Sequence, residues 1–128
     1  MGHVIHLSEV PETVIPAGRW QPLNERLGIR HFGVNAVVMD PGETADIEHD
    51  ESGDSHQEVY VVVAGRAGFK LGEDEFEAGP GDVVAVPDPA EVRDYWAVEP
   101  GTRIVCVGAG PGAEHPFGAW IADEVASS

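Results

Sequence analysis

Short runs rich in valine alternate with turns rich in glycine and proline along most of the chain. The strongest run is Gln57–Ala64, which has valine on both sides and is therefore expected to be covered on both faces. Further strands are predicted over residues 4–7, 32–39, 45–51, 69–71, 76–78, 83–86, 92–98 and 103–107. No long helix is predicted, although residues 117–125 could form one or two helical turns. About eight to ten short strands with little helix are typical of a β-sandwich or β-barrel.

The segment before the strongest strand carries polar side chains on a face that is otherwise apolar. Ala45 and Ile47 share one side of the predicted strand with His49 and Glu51. The opposite side is uniformly polar and is expected to face solvent. His49 and Glu51 should therefore face the core, where buried polar groups need partners.

The next strand adds more polar groups, because alternation places His56, Glu58 and Tyr60 on one face. Two imidazoles and two carboxylates that can bind a metal thus occur within ten residues: His49, Glu51, His56 and Glu58. Such mixed nitrogen and oxygen ligands suit iron or manganese, and zinc is an alternative. The same groups can instead form a hydrogen-bonded cluster that binds a ligand, or acts as acid and base, without a metal.

Composition excludes several partners. The chain has 23 acidic and seven basic residues, a formal net charge of −16, which disfavours binding to nucleic acid or to an anionic membrane. Cys106 is the only cysteine, so no intramolecular disulfide can form, and its valine-rich surroundings predict a buried apolar role. No apolar run is long enough to span a bilayer, and no signal peptide is evident at the N-terminus. A cytoplasmic protein is expected.

Gly42, Glu58 and Gly65, followed by Gly81 and Pro87, have spacings that resemble those of the two motifs of the cupin superfamily. Gly42, followed by Glu58 and Gly65 with six residues between them, keeps the frame of the family's first motif. Gly81 and Pro87 keep the glycine-to-proline spacing of the second motif. This resemblance implies an all-β fold, the double-stranded β-helix or jelly-roll barrel. The barrel would span residues 32–107 of a single domain 1–128, with an N-terminal arm 1–31 and a C-terminal tail 108–128.

The ligand positions depart from the first motif. Counting five residues from Gly42 puts Glu48 and Asp50 at the family's two histidine positions, whereas one residue more puts His49 and Glu51 there. Alternation favours the second register, because the first would turn a wholly polar face toward the core.

The second motif departs further. Val92 stands where the family has its third histidine ligand, and Trp96 stands at the asparagine position. Val92 cannot coordinate a metal. From the same count, Arg93 is expected to point outward and to form an exposed ion pair with Glu91 or Asp94.

The resemblance implies a small molecule bound inside the barrel, and a homodimer paired through sheet edges and N-terminal strands. We expect a degenerate or absent metal site; the alternative is a metal-dependent dioxygenase or isomerase acting on a small organic acid or a sugar-like substrate. The cofactor would be one divalent ion (iron, manganese, zinc or nickel) or none. The expected ligand contacts are Glu51, His56, Glu58 and Tyr60, and the metal set is His49, Glu51, His56 and Glu58.

Overall fold

A computed structural model describes residues 2–43 and 55–112. Within those residues the protein is almost entirely β-strand, with one short α-helix, α1 (Asn24–Leu27), and one 3-10 turn (Leu7–Glu9). The nine strands of the described part are β1 (Thr13–Ile15), β2 (Gly18–Pro22), β3 (Gly33–Met39), β4 (Gln57–Ala64), β5 (Ala67–Leu71), β6 (Asp74–Ala78), β7 (Val83–Val86), β8 (Arg93–Ala97) and β9 (Thr102–Ala109).

These strands form two antiparallel sheets. The larger sheet has the order β1-β2-β3-β9-β4-β7, and the smaller has the order β6-β5-β8. The predicted all-β class is confirmed, and β4 and β7 have the predicted bounds. The hairpin expected from residues 69–71 and 76–78 is β5 paired with β6. The predicted strand at 45–51 and the predicted helical turns at 117–125 lie outside the described residues.

The N-terminal segment differs from the prediction. Residues 4–7 do not form a strand, and β1 and β2 lie further along the chain. The reason lies in side-chain contacts that local periodicity does not show. Gln21 donates from Nε2 to the carbonyl oxygens of Leu7 at 2.8 Å and Val10 at 3.2 Å. Val10 then packs with Leu23 and Val34 on the outer face of the larger sheet.

The main core lies between the two sheets. Tyr60 of β4 meets Phe69 of β5 and Tyr95 of β8, with ring centroids 5.8 Å and 5.2 Å apart. Tilted rings at such separations combine large apolar burial with favourable edge-to-face electrostatics. This aromatic contact ties the inner faces of the sheets together and fixes where β4 and β8 can place their polar side chains.

The outer face of β4 is not fully covered, contrary to the prediction that both of its faces are buried. Val59 and Val63 are exposed, as is Val83 on the neighbouring β7. The N-terminal segment covers the part of the sheet around β3 and β9 instead. Among the described residues, no helix has the length and apolar character needed to cross a bilayer.

Candidate functional site

Strand β4 places a carboxylate and a phenol side by side in the interior. Alternation along the strand turns Glu58, Tyr60 and Val62 inward, as predicted, and only 3% of Glu58 is exposed. The Tyr60 hydroxyl donates to Glu58 Oε1 at 2.8 Å. Sequence position thus determines this pair directly, because residues two apart on a strand share a face.

Strand β8 supplies the positive charge that meets this carboxylate. Arg93 is 0% exposed, and its Nη1 donates to Glu58 Oε1 at 2.8 Å. Its other nitrogens donate to main-chain carbonyl groups between β7 and β8. Nε donates to Glu91, and Nη2 donates to Asp88, Pro89 and Glu91, at 2.9 to 3.2 Å. A buried guanidinium needs this number of acceptors, since it carries five N–H donors and stays charged.

The predicted outward orientation of Arg93 is therefore wrong, and so is its predicted ion pair with Glu91 or Asp94. Val92 is 41% exposed and does not occupy the interior. The phase of β8 follows from its apolar residues, because Tyr95 and Ala97 are buried and Arg93 shares their face. Counting back from Tyr95, rather than forward along the second motif, would have placed Arg93 correctly.

Strand β9 leaves room for the carboxylate and adds a third donor. A Cβ on Gly108 would lie 3.0 Å from Glu58 Cγ, so the missing side chain is what accommodates Glu58. The Cys106 thiol donates to Glu58 Oε2 at 3.4 Å. Cys106 is buried, as predicted, but it contacts a charged group in addition to apolar neighbours.

The surroundings keep the phenol protonated. Burial is the largest effect that raises the pKa of Tyr60 well above its usual value, and the nearby Cys106 and Glu58 raise it further. A neutral phenol can act as a hydrogen-bond donor, and it does so toward Glu58. The site therefore contains a phenol, a carboxylate and a guanidinium in one connected group.

The predicted metal set is only partly within the described residues. His56 is half-buried just before β4, and Glu58 lies in the interior, while His49 and Glu51 fall outside the described ranges. Across residues 2–43 and 55–112, no three His, Cys, Asp or Glu side chains are grouped to hold a metal. Glu58 is a poor ligand here because a divalent ion at its carboxylate would meet the positive charge of Arg93.

A cleft of about 550 Å³ lies at the end of the larger sheet where Glu58 is found. Part of its wall is formed by Gln57 of β4 and Ala109 of β9, which lie opposite each other in the sheet, and another part is formed by Pro89. Pro89 is held in place through its carbonyl oxygen by Arg93. Arg93 thus supports one wall of this cleft through Pro89.

Neither a protein-family model nor a curated protein matches the chain. Solved structures do match. KdgF from Halomonas sp. superposes with a TM-score of 0.67 at 18% identity, covering 87% of this chain and 96% of that one. A sugar phosphate isomerase of the cupin superfamily from Silicibacter pomeroyi gives a TM-score of 0.66 at 20% identity, covering 85% and 76%. The chain has the cupin fold.

A third similar structure is that of Pac13 from Streptomyces, described as a nucleoside dehydratase, with a TM-score of 0.62 at 18% identity and coverage of 85% and 82%. At these identities the likeness establishes the fold, which agrees with the resemblance seen in the motif spacing. Chemistry has to be argued from the side chains, because one fold hosts many functions.

Proposed function

We propose that the protein binds a small molecule inside the cupin fold, beside the group formed by Glu58, Tyr60 and Arg93, and that Glu58 holds no metal ion there. The observation that carries the proposal is the buried ion pair between Glu58 and Arg93. Replacing such a pair by well-packed apolar residues is often neutral or stabilising, so folding alone gives little reason to keep it. Buried charge pairs of this kind are concentrated at functional sites, and the same arginine holds Pro89 in the wall of the cleft.

Arg93 supplies the positive charge that a metal ion would otherwise supply at the Glu58 carboxylate. Its guanidinium neutralises Glu58 and fixes the orientation of the carboxylate through Oε1. Tyr60 donates to the same oxygen and Cys106 to the other. Glu58 is therefore oriented by three side chains of the protein itself.

The proposed ligand contacts remain Glu51, His56, Glu58 and Tyr60, with Arg93 as a positioning residue. His56 precedes β4 immediately and lies next to Gln57, which lines the cleft. Similar structures include one described as a nucleoside dehydratase, of which one form contains uridine, and one described as a sugar phosphate isomerase. These descriptions favour a sugar-like or nucleoside-like ligand.

The competing proposal is a metal-dependent dioxygenase or isomerase that uses His49, Glu51, His56 and Glu58. Metal analysis of protein purified without chelator or histidine tag separates the two. We expect far less than stoichiometric iron, manganese, zinc or nickel. A stoichiometric metal that is lost in His49→Ala or His56→Ala would favour the enzyme. A metal lost in Glu58→Gln would also contradict the role given to Arg93.

Two further expectations complete the proposal: a cytoplasmic location and a homodimer. The larger sheet ends in β1 and β7 within the described residues, and exposed valines flank the β7 edge. Sheet edges offer unpaired main-chain groups to a second copy. Light scattering coupled to size exclusion tests this, because a monomer mass at micromolar concentration would rule out a stable homodimer.

A further inference from the structure

Asn35 is a buried amide with an unpaired donor. It lies on β3 and is only 2% exposed, and among the described residues its Nδ2 has no hydrogen-bond acceptor. A buried amide donor without a partner is destabilising, so native proteins rarely keep one without a reason. Asn24, another buried amide, is by contrast fully hydrogen-bonded, since its Nδ2 donates to the carbonyl oxygens of Ile29 and Phe32 and its Oδ1 accepts from the Val34 main-chain N–H.

The pairing of the strands places Asn35 on the inner face, in the same row as the candidate site. Asn35 is directly opposite Cys106, which in turn is directly opposite Tyr60. Two inter-strand spacings put the main chains of Asn35 and Tyr60 about 10 Å apart. In the adjacent inward row, Gly33 is opposite Gly108, and neither of these two carries a side chain.

The charges of the interior limit what Asn35 can help to bind. Arg93 is the inward-facing cation of the described strands, and each of its three nitrogens already donates to Glu58 or to a carbonyl group. The chain as a whole has a formal charge of −16. An anionic ligand would thus enter against the field of the protein and find its counter-charge already engaged. An uncharged ligand is not repelled by the negative field of the protein and needs no free counter-charge in the interior.

We propose that Asn35 is a ligand-binding residue whose Nδ2 donates a hydrogen bond to a carbonyl or hydroxyl oxygen of the ligand. The ligand is an uncharged, oxygen-rich molecule of the sugar or nucleoside class, and not the phosphate ester of such a molecule. This inference rests on the proposed function. It adds Asn35 to the ligand contacts and specifies that the ligand is uncharged. Asn35 binds the end of the ligand that lies toward β3. Tyr60 lies at the other end of the same row, and Glu58 lies in the adjacent row, opposite Gly108.

The experiment measures thermal shifts and then calorimetric affinities with matched probes. The probes are D-ribose, D-glucose and uridine, each beside its monophosphate ester. Asn35→Leu and Asn35→Ala both remove the donor but change the side-chain volume in opposite directions. Gln21→Met is the matched control, because Gln21 is also a buried amide with one unpaired atom, on the outer face of the same sheet.

We expect at least one uncharged probe to bind and its phosphate not to bind. Both Asn35 variants should weaken that binding about 5- to 100-fold, the range expected when a buried hydrogen bond is lost. Asn35→Leu should leave the ligand-free protein at least as stable as the wild type, because it removes an unpaired buried donor. Gln21→Met should change stability without changing affinity.

Three results would overturn parts of the account separately. Binding of a phosphate ester as tight as that of its uncharged partner would refute the ligand class. An uncharged probe that binds both Asn35 variants with wild-type affinity would refute the role of Asn35 and leave the proposed function standing. No binding of any probe, charged or uncharged, would contradict the proposed function together with this inference.

Discussion

Arg93 Nη1 lies 2.8 Å from Glu58 Oε1, and both side chains are almost completely buried between the two sheets. The two residues are 35 positions apart in sequence and come from different sheets. This contact brings a positive charge to the carboxylate that the resemblance marks as a metal ligand. We propose that this guanidinium takes the place of a metal ion at Glu58.

The ion pair should show strong coupling in a double-mutant cycle. Arg93→Met and Glu58→Gln should each lower the free energy of unfolding by about 3–5 kcal/mol, because each leaves a buried charge without its partner. The double variant should be clearly more stable than the sum of the two losses implies. Urea unfolding of the four proteins measures this, and additive losses would contradict it.

The exposed pair between Arg19 and Glu12 is the matched control. Their nitrogen and oxygen atoms are 3.0 Å apart, but both side chains are about one-third exposed. Arg19→Met should cost less than about 1 kcal/mol, because solvent screens exposed ion pairs. A loss as large as that of Arg93→Met would show that the urea measurement does not distinguish buried charges from exposed ones.

Gly108→Ala should disturb the carboxylate without changing any charge. The added Cβ would lie 3.0 Å from Glu58 Cγ and 3.2 Å from the Gln57 carbonyl oxygen, so we expect a loss of about 1–3 kcal/mol and weaker ligand binding. Gly79→Ala is the control, because that glycine is also buried and its Cβ would meet only the end of the Arg66 side chain, at 3.5 Å. Equal effects of the two substitutions would argue against a specific role for Gly108.

Tyr60→Phe should reduce stability at neutral pH by about 1.5–3 kcal/mol, the range for a hydrogen bond to a charged group. The aromatic contacts with Phe69 and Tyr95 are retained in this variant, so the loss reports mainly the hydroxyl. Chemical denaturation at pH 7 measures it. No loss of stability would mean that the bond to Glu58 contributes nothing net.

The same substitution should change the alkaline side of the stability profile. Burial raises the pKa of Tyr60 in the folded protein, so its phenol stays protonated when that of the unfolded chain ionises near the usual value of about 10. The contribution of Tyr60 is therefore complete below about pH 10 and is lost progressively as the pH rises further. Unfolding free energies between pH 8 and 11 should fall less steeply in Tyr60→Phe than in the wild type. Parallel curves would contradict the raised pKa.

Much of the fold could be read from local patterns, whereas the site could be read only in part. The apolar run of β4 is a local feature, and so is the alternation that places Glu58 and Tyr60 on the same face of the strand. Both predictions are confirmed. Arg93 was misplaced because the motif spacing was carried across the segment between β7 and β8, which contains two prolines. Loop length can vary without moving a strand, and burial of Tyr95 sets the phase of β8 instead.

Other features depend on contacts that no local pattern contains. The partner of Glu58 comes from the opposite sheet, and the space for its side chain comes from Gly108 on a neighbouring strand. Asn35 is a polar residue in a valine-rich strand, and only the pairing with β9 shows that it lies in the row of Cys106 and Tyr60. Such relationships become visible once strand order and register are known.

The most direct test of the central claim is calorimetric titration of the tightest-binding probe before and after chelation of divalent metals. If Arg93 replaces a metal as the partner of Glu58, the affinity of the wild-type protein should be unchanged by chelation, and Arg93→Met should lose binding under both conditions. Binding that disappears on chelation and returns with iron, manganese, zinc or nickel would contradict the account.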